Sequence, residues 1–263
     1  MRRGTLRAIG AALACAAATA HAGRSCEQRP PTPLAVARAM TLAEHTAARL
    51  AQTGADVVVL ARAGQNLGEY GIRYSHLGFA YKDGSGAGAV WRVVHKLNQC
   101  GSARASLYRQ GLGEFFLDDL WEYEAAFVVL APQTQARLRV LLADNDAVAR
   151  LDMPSYSMVA YPWSTRYQQS NQWALETLAL AEDPAAATRE RAQAWLRLHG
   201  YEPTTLHLSA LKRLGARVAT ANVAFDDHPN EKRFGDRIET VTVDSVFRWL
   251  ERDGRGGTVQ VIR

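Results

Sequence analysis

Cysteine is scarce in this chain, with three in 263 residues, so at most one disulfide can form. Several catalytic signatures are missing altogether. There is no H-E-x-x-H, no Walker A sequence and no G-x-S-x-G, which excludes the zinc-protease helix, the P-loop and the nucleophile elbow as carriers of function. No apolar stretch beyond Ala22 is long enough to span a bilayer. Nor is there a dense Lys/Arg cluster interleaved with aromatics, so no nucleic-acid partner is expected.

The N-terminus carries a compact export signal. Arg2 and Arg3 supply charge, an Ala/Leu/Ile run over 6–20 supplies an apolar centre, and Ala20-His21-Ala22 is a small-x-small cleavage site. Removal of residues 1–22 takes away Arg2, Arg3 and Arg7, leaving 28 basic residues against 26 acidic ones. The whole-chain charge of +5 therefore overstates how basic the exported protein is. A periplasmic or secreted location follows, and it places Cys26 and Cys100 in an oxidising space where a Cys26–Cys100 disulfide is expected.

Hydrophobic period and turn residues divide the remainder. A lead-in with Pro30, Pro31 and Pro33 precedes a helix over 36–52 that Gly54 ends. A β-branched run at 56–61 reads as a strand. Strands over 73–81 and 89–97 flank the glycine-rich turn at 82–88, and another is expected at 127–130. Helices follow over 133–143, 170–181, 186–198 and 209–214. The chain closes as strand 238–243, helix 244–251 with Asp244 as N-cap, and strand 258–262. The pattern is α+β. It divides into a segment and helix at 23–54, a core at 55–182 and C-terminal helical and strand additions at 183–263.

Two motifs carry chemistry. The first is Tyr74-Ser75-His76-Leu77-Gly78-Phe79, where alternation on a strand groups Tyr74, His76 and Gly78 on one face and Ser75, Leu77 and Phe79 on the other. The next strand ends at Val93-Val94-His95, and the turn between them allows the two imidazoles to share one sheet, subject to the register. The second motif is Gln168-Gln169-Ser170-Asn171-Gln172-Trp173. Its bland reading is an N-cap serine, and the two histidines can equally be a structural residue and a strand-end surface residue. Weaker candidates are a G-x-G-x-x-A match at 84–89, an S-x-x-K match at 209–212, the Asp/Asn loop at 226–230 and Cys100 as a nucleophile. Each reads better as an ordinary turn, helix or loop, and no metal or cofactor is expected.

The order of histidine strand, second histidine and polar helix start resembles the permuted branch of the papain-like NlpC/P60 superfamily, which includes the lecithin retinol acyltransferase-like proteins. The run from Arg73 through Gly111-Leu112-Gly113-Glu114-Phe115-Phe116 to Tyr161-Pro162-Trp163 and Ser170 also looks like an uncharacterised family of exported bacterial proteins. The first resemblance implies a small antiparallel sheet packed with helices. It also implies His76 as general base, His95 as its orienter, and Ser170 where the family has its nucleophilic cysteine. An alcohol in that place needs a base within reach, whereas a thiol can ionise unaided. Two functions stay open. One is a cell-envelope amide or ester hydrolase or acyltransferase. The other is a non-catalytic module that binds envelope peptide, glycan or lipid in the same cleft, lined by Tyr74, Gln169, Tyr161, Trp163 and Tyr167.

Overall fold

Val57–Arg62 (β1) is five aliphatic residues followed by an arginine, buried on both faces along its whole length, as a strand must be when helices cover the sheet on either side. The computed structural model describes residues 30–118, 120–219 and 221–263. Before β1 comes α1 (Pro33–Thr53), and after it β2 (His76–Asp83), β3 (Val90–Asn98), β4 (Ala105–Gly111) and the short α2 (Leu112–Phe116). Next are β5 (Ala125–Val129), α3 (Pro132–Ala143) and α4 (Asn145–Ala149). Then α5 (Ser170–Glu182) and α6 (Arg189–Leu198) lead to β6 (Thr204–His207), α7 (Ala210–Ala219), α8 (Asn230–Arg233) and β7 (Arg237–Thr240). The chain ends with α9 (Val243–Arg252) and β8 (Gln260–Ile262).

Six of these strands form one sheet in the order β4-β3-β2-β1-β5-β8, with every neighbouring pair antiparallel. On one face Leu77, Phe79, Tyr81 and Val94 pack with Trp173, Leu175 and Leu178 of α5 and with Val246, Phe247 and Trp249 of α9. On the other, Leu60, Ala80 and Val93 pack with Leu42 and Leu50 of α1 and with Phe115 and Phe116 of α2. The protein is thus α+β, a helix–sheet–helix sandwich. Segment 183–263 is continuous with it, since α9 sits in the main core and β8 supplies the sixth strand through Ala126 and Val261.

Local chemistry explains where elements begin. Helix α1 starts three residues before the expected 36, because Pro33 occupies its first turn and the Thr32 side chain accepts a hydrogen bond from the Ala35 N–H. It ends at Gly54, whose φ of 68° is left-handed. The expected Asp244 cap is Thr242 instead, which exchanges hydrogen bonds with Ser245 in a capping box. Strand β7 correspondingly stops at Thr240, short of the expected 243. Strands β6 and β7 form a separate two-stranded ladder over a small core of Ile72, Leu206, Leu208, Phe225 and Ile238.

Candidate functional site: a buried histidine pair and a polar helix start

His76 opens β2 and is paired in register with Arg62 of β1. One strand further, His95 lies on the same face, and the two rings meet with His76 Nε2 2.8 Å from His95 Nδ1. Gly78 makes this approach possible. A Cβ there would stand 2.8 Å from the His95 Cβ and 2.8 Å from the Val94 carbonyl oxygen, closer than atoms tolerate.

The direction of the hydrogen bonds follows from the far end of the chain they form. The Glu114 carboxylate can only accept, so Gln110 donates to it through Nε2 at 3.0 Å. Gln110 then presents Oε1 to His95, which donates through Nε2 at 2.7 Å. That leaves His95 Nδ1 as acceptor and His76 Nε2–H as donor. His76 Nδ1 keeps its lone pair, and His76 makes no further hydrogen bond among the described residues.

Both rings are neutral. Burial, then the nearby Arg62 cation and then His95 hold His76 well below its ordinary 6.5. Burial and Arg62 bring His95 down to about 3, against opposing contributions from Gln110 and Asp118. Arg62 is itself buried and lies over the Phe115 ring, 4.6 Å from its centroid, while donating to the Phe115 carbonyl and to Asp118 at 2.6 Å. Phe115 also packs against His95, with centroids 5.1 Å apart. The pair therefore belongs to the α1/α2 side of the sheet.

The body of α5 lies on the other side. Helix α5 approaches through Trp173, whose ring is 5.9 Å from Phe79, on the face opposite the imidazoles. Ser170 is not its N-cap. Gln169 is, with its side-chain oxygen accepting from the Asn171 N–H at 3.0 Å, while its amide donates to Thr240 Oγ1 at 3.0 Å and to the Val241 carbonyl. Ser170 occupies the first helical position and is buried against Tyr156, whose phenol burial pushes up to about 12 while its bond to Ser170 pulls the other way. Asn171 links the two motifs, accepting from the Leu77 N–H at 3.1 Å. Among the described residues no hydrogen bond joins Ser170 to His76 or His95, so the expected triad is brought together only in its histidine half.

A buried polar network sits where apolar periodicity leaves no trace. Glu176, fully buried on α5, accepts from Arg189 Nε at 2.8 Å, from Arg189 Nη2 at 3.0 Å and from Gln193 at 2.8 Å. It also accepts from Gln172 Nε2 at 3.3 Å and from Gln168 Nε2 at 2.6 Å, and Gln168 leads to Lys96, whose ammonium donates to Gln168 Oε1, Asp152 and the Met153 carbonyl. Arg189 also donates to the carbonyls of Ser164, Thr165 and Tyr167. The loop over 151–169 is thereby pinned to α5.

The expected cleft residues are distributed. Tyr74 lies outside β2, so alternation does not apply to it. It is buried on the α5/α9 side against Phe247, and its hydroxyl donates to Glu124 at 2.9 Å. Tyr161, Trp163 and Tyr167 stay half-buried along the pinned loop. Tyr161 packs on His228, Trp163 on Tyr201 beneath Arg197, and Tyr167 beneath Arg166. Gln110 and Glu114 were not identifiable in advance, because Ala105–Gly111 is a polar edge strand without alternation and α2 has only five residues. Cys100 is disulfide-bonded; Cys26, the expected partner, lies outside the described residues, as does the export signal. No helix among the described residues is long and apolar enough to cross a membrane.

Stability should fall with acid in two stages. An unfolded chain protonates its histidines near 6.5, whereas folded His95 resists until about 3 and His76 likewise stays neutral. Their stabilising contribution is full above about 6.5 and declines as pH drops below it. Glu124 adds the second stage. Hydrogen bonds from Arg73, Tyr74 and Arg263, with Arg73 the largest contributor, hold it at about 2 against an ordinary 4.5. What it contributes is therefore present above 4.5 and lost towards 2. Urea midpoints measured across this range should show His95→Gln flattening the upper stage and Glu124→Gln the lower; superimposable profiles would contradict the assignment.

Residues 49–250 match the model of a family described as "Uncharacterized protein conserved in bacteria (DUF2145)". No curated protein and no solved structure matches the chain.

Proposed function

The chain belongs to that uncharacterised bacterial family, and we propose that it is an exported, non-catalytic binding module on a permuted papain-like scaffold, recognising envelope peptide, glycan or lipid. The scaffold reading rests on the histidine pair, in which the second imidazole accepts from the first, as a base and its orienter require. It rests also on the Asn171–Leu77 bond that ties the helix start to the histidine strand. Export and a periplasmic or secreted location are supported by the N-terminal signal pattern and by the oxidised state of Cys100.

One observation carries the non-catalytic reading: among the described residues Ser170 has no hydrogen bond to either histidine and is buried against Tyr156 instead. An alcohol becomes a nucleophile only when a positioned base takes its proton, and imidazoles held this far below neutral are weak bases. The half-buried Tyr161, Trp163 and Tyr167, on a loop fixed by Arg189 and Gln193, offer flat apolar edges with little ordering cost, which suits stacking on sugars or peptide. The hydrolase or acyltransferase reading, with Ser170 as nucleophile, His76 as base and His95 as orienter, is favoured by one feature. The relay to Glu114 leaves a lone pair on His76 Nδ1.

Envelope fragments provide the test. Wild type, Ser170→Ala and His76→Ala should bind them alike without turnover, and Trp163→Ala combined with Tyr167→Ala should weaken binding. Hydrolysis of an envelope peptide or acyl ester by wild type or Ser170→Cys, lost in His76→Ala, would replace this proposal with the enzyme.

A further inference from the structure

Both ring nitrogens of His228 meet oxygens. Nδ1 lies 2.9 Å from Asp227 Oδ1, and Nε2 lies 3.0 Å from the Glu239 carbonyl oxygen on β7. The side chains of Asp227 and His228 are closed to solvent, so water does not stand in for either contact. The second carboxylate oxygen of Asp227 accepts from the Tyr161 N–H at 2.7 Å, and the Tyr161 ring packs on the imidazole with centroids 5.0 Å apart. The dyad is thus built against the loop that carries Tyr161, Trp163 and Tyr167.

A neutral imidazole has one N–H and one lone pair, and here the lone pair would face a carbonyl or a carboxylate. A carbonyl has no proton to give. Asp227 and His228 therefore hold one proton between them that the same side chains, separated in water at neutral pH, would release. Aspartic acid is ordinarily the stronger acid of the two and the Tyr161 N–H favours its ionised form, so the ring carries the proton and donates at both ends. The other charges nearby are matched: the Glu239 carboxylate accepts from Lys232, and Asp226 pairs with Arg166 at 2.8 Å. Arg197 and Glu231 act on Tyr161 with opposite signs. We propose that Asp227 and His228 are a proton-held clasp that positions the aromatic loop: with the proton present Tyr161 is fixed, and its loss sets a lone pair against an acceptor and frees that part of the loop. The proposal rests on the binding function given above only for what the loop holds. Closed, the clasp carries one proton more than it does open, so opening becomes easier as pH rises above about 6.5. The contribution of the His76–His95 pair is already full in that range.

Hydrogen exchange at the Tyr161 amide of the full chain, corrected for the intrinsic rate, measures this opening. In the wild type the opening constant should rise about tenfold per pH unit between about pH 7 and 8, the dependence of one proton. Burial, then Glu239, hold the Tyr161 phenol above its ordinary 10, so it does not titrate there. Asp227→Asn can accept from Tyr161 and donate to a neutral His228, so its amide should stay protected with no such slope. Nitrogen NMR at neutral pH should show protons on both ring nitrogens of His228 in the wild type and on one in Asp227→Asn. A single N–H on wild-type His228, or a flat wild-type exchange profile, would overturn the clasp even if Asp227→Asn failed to fold. Equal slopes in the two folded proteins would do the same. If the slope and the doubly protonated ring are found but no envelope fragment binds, the clasp stands and the binding function falls.

Discussion

Glu176→Ala is expected to lower folding stability by about 3–5 kcal/mol, the cost of leaving a buried cation without its partner. Arg189 loses both of its carboxylate contacts at a site only 7% exposed, and Gln168 and Gln193 lose an acceptor. The carbonyls of Ser164, Thr165 and Tyr167 still accept from Arg189 and limit the damage. Replacing the pair together, Glu176→Leu with Arg189→Met, should recover much of the loss, because an apolar pair of similar volume carries no desolvation cost. Urea denaturation of the three proteins measures this. A loss under about 1 kcal/mol for Glu176→Ala would place the pair among exposed bridges and detach the 151–169 loop from α5.

Trp173→Ala should be comparably severe, at about 3–5 kcal/mol for a fully buried indole. Its ring fills the space between α5 and Phe79, so removing it opens a cavity between helix and sheet. Its Nε1 has no hydrogen-bond partner among the described residues. Trp173→Phe therefore forfeits no hydrogen bond and should cost less than about 1.5 kcal/mol. Thermal unfolding separates the two variants. Equal losses would mean that the indole nitrogen has a partner of its own.

The parts of the fold that could be read from sequence are those with strong apolar period. Strands β1, β2 and β3 and helices α1, α3 and α5 lie close to where period and turn residues place them, because each buries aliphatic side chains on a regular face. The histidine pair was half visible. His76 and His95 could be named, but their meeting depends on register, which Gly78 decides by letting β3 close on β2. Tyr74 lies on the face opposite to the one alternation gives it, because residue 74 precedes the strand that begins at His76. Gln110, Glu114 and the Lys96–Gln168–Glu176–Arg189 network were invisible for a different reason. Hydrophobic pattern registers apolar residues alone, and buried polar groups are selected by partners far away in sequence.

The order of motifs in a sequence does not by itself join their side chains. Asn171 ties the helix start to the histidine strand. Yet the imidazoles sit among Arg62 and Phe115, and the serine against Tyr156. The elements meet through Asn171, but among the described residues no hydrogen bond joins the groups that chemistry would need in contact.

Reaction with a fluorophosphonate, which labels serines activated by a neighbouring base, tests most directly whether Ser170 lacks a base. Intact-mass analysis of the folded wild-type protein should show no adduct, and peptide mapping none at Ser170. Stoichiometric labelling of Ser170 that disappears in His76→Ala would show base and nucleophile working together, and would contradict the account.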